Sequence, residues 1–321
     1  MSISSLNRSI EQHNLLKSKI NQFLAEKKGI ERKILNEASD GYRPKAVKEK
    51  IDEALKNVNV TLWLEQDGER RSITLQNIVG SGGQKKAWQV TDRNVLMLPN
   101  YDGESVSCIA NSWEKTVTEE LMVSRFLTQQ NLLSCNHQFV KIFISPQSES
   151  FIPAYLSDSF EHLKKNNLFI LEGKTNKSGT WLKEKIHFFF QNTDDKLNEE
   201  CWDEVLKPLV LDISKIIKYG IPAYGDSFNI AVYKREDANC AGSPYHVRYF
   251  GLDFSKKSEH QVLSLIERTN LSPEIVKKEA ASLLSQFLER LMEIECPFDY
   301  TSLKNSLVNR CAQEISRQFT H

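Results

Sequence analysis

The pattern of apolar and polar positions changes character twice along the chain. Over residues 1–58 it is helical: Leu6, Ile10, Leu16, Ile20 and Leu24 recur near a helical period. Gly29 is expected to interrupt this first helix. A second helical stretch covers Ile30 to Leu35, and Arg43 to Leu55 forms another. At Val58 the texture turns to alternation. VTLWLEQDGERRSITLQNIVG alternates around Asp67-Gly68, and that dipeptide between two strand-like runs predicts a hairpin.

KKAWQV and NVLMLP predict the next two strands. A helix from about Trp113 to Gln130 places Leu121, Met122, Phe126 and Leu127 on one side. QFVKIFIS and LFILEG read as strands. From Trp202 the pattern is helical again, in EVLKPLVLDISKIIKYG, with Pro208 as a kink site. FNIAVYK and YHVRYFGLDF are strands set between helices. The segment SPEIVKKEAASLLSQFLERLMEIE closes the pattern, with Ser272 as N-cap and Pro273 at the first helical position. Its stripe of Val276, Leu283, Leu284, Phe287, Leu288 and Leu291 reads as core. No internal repeat interrupts this order. Helices, then strands around one helix, then helices around a strand pair predict an α+β protein in two lobes.

Composition narrows the class. A chain of 321 residues with 40% hydrophobic and 26% charged residues buries a sizeable core. It is neither disordered nor collagen-like nor a disulfide scaffold. Lys and Arg number 42, and so do Asp and Glu, so the formal net charge is zero. That balance argues against a protein that coats nucleic acid. The charge is unevenly placed: residues 1–50 hold eleven Lys and Arg against six Asp and Glu, an excess of five. A basic helical region is therefore joined to a slightly acidic body. It reads either as a solvated helix face or as an anion-binding or membrane-surface patch.

No apolar run approaches the roughly 20 residues needed to span a bilayer. MSISSLNRSIEQHNLL has no apolar centre and no cleavage site, so no signal peptide is expected there. Cys108, Cys135, Cys201, Cys240, Cys296 and Cys311 lie far apart without a C-x-x-C pair. They read as reduced cysteines of a cytoplasmic protein. His13, His137, His162, His187, His246 and His260 show no metal-ligand spacing and read as ordinary surface or core residues.

The candidate chemistry is spread over four places. Gly80-Ser81-Gly82-Gly83 lies between two strand-like segments. Glycines there let backbone amides approach phosphate oxygens without a Cβ in the way, although the same residues also make an ordinary hairpin turn. Glu119 and Glu120 lie on the helix that follows. Tyr224-Gly225-Asp226-Ser227-Phe228-Asn229 comes between a long apolar helix and a strand. An Asp and an Asn in one tight loop supply a catalytic base and a metal ligand, or a turn closed by Asx hydrogen bonds. Gly251-Leu252-Asp253-Phe254-Ser255 ends the next strand. Its Asp binds Mg2+ bridging phosphates, or starts a helix.

Glycine loop, strands, helix glutamate, long helix, Asp and Asn loop, hairpin and Asp-Phe follow the order of parts in the protein-kinase superfamily. Over residues 72–295 the chain resembles a divergent, atypical member of it. The resemblance implies a two-lobed kinase-like fold with an N-terminal helical extension. Residues 1–57 would form the basic extension, 58–172 a β-rich lobe with the glycine loop and helix C, and 173–321 a helical lobe with the catalytic loop. It implies that Gly80, Ser81, Gly82 and Gly83 cradle ATP. Glu119 or Glu120 would be the helix-C glutamate and Asp226 the catalytic aspartate. Asn229 and Asp253 would hold Mg2+ or Mn2+.

The chain departs from the family pattern in several places. Two residues, not four, separate Asp226 from Asn229; Ser255 replaces the last glycine of Asp-Phe-Gly; and no Ala-Pro-Glu follows. Met97 stands where the strand-3 lysine is expected. In the with-no-lysine kinases the cation comes from the glycine-loop region, and GSGGQK resembles that pattern. Lys85 is then the first candidate for the replacement and Lys86 the second, and strand alternation points only one of them into the site.

The resemblance implies transfer of the ATP γ-phosphate to a protein Ser or Thr hydroxyl. The other readings are a catalytically inactive scaffold and a kinase-fold nucleotidyltransferase. The divergence and the basic N-terminus resemble kinase-like effectors that bacterial pathogens deliver into host cells. A host activator such as inositol hexakisphosphate is then expected, with Lys27, Lys28, Arg32, Lys33, Arg43, Lys45 and Lys48 as its cations. The expected location is the cytoplasm, or a host cytosol reached without an N-terminal signal peptide.

Overall fold

The structure is a computed structural model. It describes residues 3–38, 44–129, 137–159, 169–172, 229–234, 245–250 and 301–318, with single positions at 207, 210, 211, 214, 272, 274–276, 278, 281 and 282. The chain divides into two compact units. One comprises residues 1–121 and 136–161, the other residues 122–135 and 162–321.

The first unit is built on a seven-stranded antiparallel sheet. Its strands are β1 (Val60–Gln66), β2 (Glu69–Leu75), β3 (Ile78–Ser81), β4 (Lys85–Gln89), β5 (Asn94–Pro99), β6 (Gln138–Phe143) and β7 (Ile152–Asp158), in the order β2-β1-β6-β7-β5-β4-β3. The protein is therefore α+β, as its pattern predicts. The Asp67-Gly68 hairpin forms where expected. Asp67 has φ 53° and Gly68 φ 85°, the left-handed pair whose twist matches that of two strands joined by a two-residue turn.

Alternation sorts the sheet into two faces. Leu62, Leu64, Trp88, Leu96, Ile142 and Ala154 are all fully buried on one of them. Helix α1 (Ile3–Glu37) covers that face with Leu16, Ile20 and Phe23, and the Phe23 ring lies 5.7 Å from that of Trp88. The opposite face meets helix α3 (Val106–Gln129), whose Trp113 donates its indole N–H to the Pro153 carbonyl at 2.7 Å. Helix α2 (Pro44–Leu55) packs on α1.

The elements depart from the sequence pattern in three places. Gly29 does not interrupt α1, which runs through it to Glu37. The residue is exposed, and a lone glycine costs a helix only about 1 kcal/mol, which the buried stripe offsets. Helix α3 begins seven residues before Trp113. Ser105 caps it, its hydroxyl accepting from the Cys108 amide at 3.3 Å and its carbonyl from the Ile109 amide at 3.1 Å. Its buried face in this unit is Ile109, Ala110, Trp113 and Val117, ahead of the stripe read from sequence. Strand β7 carries no sequence signal, because Pro153 sits second in it and demotes the segment to a loop. It is nonetheless a central strand, since β6 and β5 pair on either side.

In the second unit, β8 (Phe169–Glu172), β9 (Asn229–Lys234) and β10 (Tyr245–Phe250) form an antiparallel sheet in the order β10-β9-β8. Ser272 caps the next helix as predicted, its carbonyl accepting from the Val276 amide at 3.1 Å. A last helix, α4 (Thr301–Gln318), buries Cys311 and Ile315. The apolar surroundings push the Cys311 thiol up to about 12.

His13 is the one ionisable group that α1 buries deeply against the unit, 1% exposed, and its Nδ1 meets the Tyr101 hydroxyl at 2.8 Å. Burial lowers its pKa to about 4 from 6.5. In the unfolded chain His13 takes a proton below pH 6.5, whereas in the fold it stays neutral down to about 4. Its contribution is therefore intact above pH 6.5 and lost as the pH falls toward 4, a loss of roughly 3 kcal/mol. Urea midpoints measured at pH 7 and pH 4.5 are expected to fall further for the wild type than for His13→Gln. Parallel falls would refute this assignment.

Candidate functional site

The glycine segment ends β3 with Gly80 and Ser81, and Gly82 and Gly83 begin the short hairpin turn into β4. The Gly82 amide donates to the Lys85 carbonyl at 2.9 Å and closes it. Two further bonds come from Asn100, just past β5: its side-chain amide donates to the Gly82 carbonyl at 2.7 Å and its backbone N–H to the Gln84 carbonyl at 2.8 Å. None of Gly80, Gly82 and Gly83 has a positive φ. A Cβ at Gly80 would meet the Ala87 Cβ at 3.5 Å and one at Gly82 the Lys85 carbonyl at 3.6 Å, both ordinary contacts. One at Gly83 would meet nothing within 4 Å. The described fold places no local demand for glycine at these positions.

Lys85 opens β4, and its side chain reaches across to α3. Its ammonium forms an ion pair with the Glu120 carboxylate and donates to the Tyr155 hydroxyl at 3.1 Å. Burial alone would lower the pKa of this amine, but the Glu120 charge and the two hydrogen bonds outweigh it and hold the lysine well above its ordinary value. The pair thus favours the ammonium form. Register explains the reach: Ala87 lies directly opposite Met97, and Met97 opposite Tyr155, so Lys85, Met97 and Tyr155 share one sheet face. The cation thus stands on the strand next to the position that Met97 leaves apolar.

Strand alternation separates the two lysines as expected. Lys86 points to the other face and pairs with Asp102 at 2.7 Å, its side chain 8% exposed. It is held away from Glu120, so of the two lysines it is Lys85 that makes that pair. Of the two glutamates, Glu120 meets Lys85; Glu119 is buried as well but does not make this pair.

Two members of this cluster were not singled out by sequence reasoning. Tyr155 lies on the unpredicted β7. His137 packs its ring 4.8 Å from that of Tyr155, with Nε2 3.8 Å from the second Glu120 oxygen. Burial, and then the Lys85 charge, push His137 down to about 3. Its imidazole is neutral at ordinary pH, so the Glu120 charge is balanced by Lys85. No spacing rule would have found either residue, because Tyr155 lies on β7 and His137 just before β6, two strands paired only in the folded sheet.

Asp226 and Asp253 lie outside the described residues. Asn229 opens β9, its backbone paired between Glu172 and Phe250. Among the described residues no group of three His, Cys, Asp or Glu side chains is placed to hold a metal ion. On the basic helices, Lys28, Arg32 and Lys33 of α1 and Lys45 and Lys48 of α2 are exposed. Lys27 is half-buried and Arg43 lies outside the described residues. No helix among the described residues is long and apolar enough to cross a membrane.

No protein-family model, curated protein or solved structure matches this chain.

Proposed function

We propose that the chain is an atypical ATP-dependent phosphotransferase that moves the γ-phosphate to a protein Ser or Thr hydroxyl. The observation that carries the reading is the Lys85–Glu120 ion pair, whose lysine closes the glycine turn through its carbonyl. An ammonium has three N–H donors. Glu120 and Tyr155 take two of those on Lys85, which fix it in place and leave one for a phosphate oxygen. Phosphoryl transfer depends mainly on positioning and charge stabilisation, and a cation held this way supplies both.

In this reading the backbone of Gly80, Ser81, Gly82 and Gly83 lines the phosphates, the Gly82 amide being already given to the Lys85 carbonyl. Asp226 accepts the proton of the acceptor hydroxyl as its oxygen bonds to the γ-phosphorus and the bond to ADP breaks. Asp253 and Asn229 are the residues that would hold Mg2+ or Mn2+, which would neutralise phosphate charge. The glycine turn supports the same reading from another direction. The described fold has no use of its own for Gly82 and Gly83, so close approach of a ligand is a reason for their lack of side chains.

That argument is testable. Gly83→Ala is expected to leave stability unchanged or raise it by about 0.4–1 kcal/mol. The same change is expected to weaken ATP binding by about tenfold or more. Equal affinity in the two proteins would assign the glycines to the hairpin alone.

The direct test is labelling of a generic protein acceptor by γ-labelled ATP with Mg2+ or Mn2+. Transfer is expected, and is expected to vanish in Asp226→Ala and Asp253→Ala. Label that survives both changes would overturn the site. Transfer from α-labelled ATP instead would make the protein a nucleotidyltransferase, and absence of metal-dependent ATP binding would make it a scaffold. A polyanion activator is part of the proposal, because exposed Lys28, Arg32, Lys33, Lys45 and Lys48 lie on two helices in contact. The labelling is therefore to be run with and without inositol hexakisphosphate, and calorimetry showing no tight binding would remove it.

A further inference from the structure

The three residues that follow β5 send their side chains to three different elements. Asn100 is 8% exposed, and its amide N–H donates to the Gly82 carbonyl at 2.7 Å. The Oδ1 of the same side chain accepts from the Asp102 backbone N–H at 3.1 Å, which fixes which way the amide faces. Tyr101 is 5% exposed, and its hydroxyl meets Nδ1 of His13 on α1 at 2.8 Å. The Asp102 carboxylate takes Lys86 of β4 at 2.7 Å.

The bonds that Asn100 makes to the turn share one feature. Its side chain goes to the Gly82 carbonyl and its backbone N–H to the Gln84 carbonyl. Both therefore engage carbonyl oxygens, and neither uses a turn N–H, the group that an anion takes. A turn with two adjacent glycines has unusual backbone freedom, and fixing it before a ligand arrives removes an entropic cost from binding.

We infer that Asn100 is a positioning residue for the glycine turn, and that the Tyr101–His13 hydrogen bond anchors it to α1. The inference rests on the reading of that turn as a phosphate cradle. It adds a physical route from the basic N-terminal helix to the turn: His13, Tyr101, Asn100, Gly82. Asn100 touches no ligand in this scheme and acts only through the Gly82 and Gln84 carbonyls.

The test uses the full chain and two readouts: amide hydrogen exchange over residues 82–85, and Mg2+-ATP affinity by calorimetry with KM and kcat where transfer is measurable. Asn100→Asp keeps the side chain's size and its acceptor for Asp102 but sets a carboxylate oxygen against the Gly82 carbonyl. It is expected to speed exchange over 82–85 selectively and weaken ATP binding by about tenfold or more, from the lost hydrogen bond and the added negative charge, the uncharged Asn100→Ser giving the same selective exchange. KM is expected to rise accordingly, with kcat changed by about twofold at most, since the bond acts on the cradle before chemistry. Tyr101→Phe removes only the anchoring hydroxyl and is expected to give the same pattern at about threefold. If Asn100→Asp does not fold, Asn100→Ser is read in the same way.

Exchange that is unchanged over 82–85, or faster equally throughout the unit, overturns the positioning role. Faster exchange with unaltered ATP affinity overturns it too. An Asn100 effect without a Tyr101→Phe effect overturns the anchor. A wild-type protein that binds no ATP refutes the nucleotide reading instead, and the exchange data then decide alone whether Asn100 holds the turn.

Discussion

Lys85→Met is expected to reduce phosphate transfer by about 10²–10³-fold, the usual loss on removing one group that stabilises transition-state charge. The substitution also strands a carboxylate. The Glu120 side chain is only 4% exposed, and without its partner it is a buried charge whose isolation costs about 3–5 kcal/mol. Lys85 is 27% exposed, so water reaches that end of the pair and the lower part of the range applies. Activity and stability therefore fall together in the single variant, and a loss of activity there does not by itself assign Lys85 to the site. Lys85→Met combined with Glu120→Gln removes the stranded charge. Its thermal midpoint is expected to return most of the way to wild type while labelling stays absent. Met97 shares the sheet face with Lys85, so Met97→Lys added to Lys85→Met is expected to restore part of the transfer from the neighbouring strand. Activity retained in Lys85→Met itself would remove Lys85 from the site.

Trp88→Ala is expected to destabilise the first unit by about 3–5 kcal/mol, enough to unfold a marginal protein. Trp88 is fully buried in β4, opposite Leu96 of β5 and against Phe23 of α1. Removing the indole opens a cavity between helix and sheet that neither layer fills, because the strand is hydrogen-bonded on both sides. The loss comes from packing. The indole N–H is buried with no hydrogen-bond partner among the described residues, a liability of about 1–3 kcal/mol. Trp88→Phe deletes that orphan donor along with part of the ring. It is expected to cost about 1 kcal/mol or less, since the smaller cavity is offset by the donor removed. Denaturant unfolding of the three proteins distinguishes these cases. A Phe variant as unstable as the Ala variant would mean that the N–H has a partner.

Much of the first unit is legible in its sequence for reasons tied to particular residues. Asp67-Gly68 takes a backbone conformation few other pairs adopt readily, so it marks its hairpin without outside help. Leu16 and Ile20 lie on the buried stripe that their spacing predicts. His13 and Phe23 lie on the same stripe and escape notice, one because it is titratable and the other because it is offset by one position from Leu24. The start of α3 lies in DGESVSCIANS, where small and polar residues dilute the stripe of Ile109, Ala110 and Trp113. Strand β7 was missed because a proline argues against a central strand when its neighbours are unknown. The site shows the same division. The sequence names Lys85, Lys86, Glu119 and Glu120 as alternatives in pairs, and adjacency along the chain cannot choose within a pair.

The amino-acid sequence by itself determined what depends on neighbours a few residues apart: the helical stripes, the alternating strands, the glycine turn, the uneven charge, and the rule that one of two consecutive lysines faces each side of a strand. Tertiary structure alone decided which side is which. It put Trp88 under α1, left Lys86 on the same sheet face paired with Asp102, and turned Lys85 toward Glu120. It also brought His137 and Tyr155 to the pair, and Asn100 to the glycine turn, across separations of 16 or more residues. The physical reason is that hydrogen-bond register and sheet order are set by pairing between distant strands, and no periodicity within one strand encodes its partner.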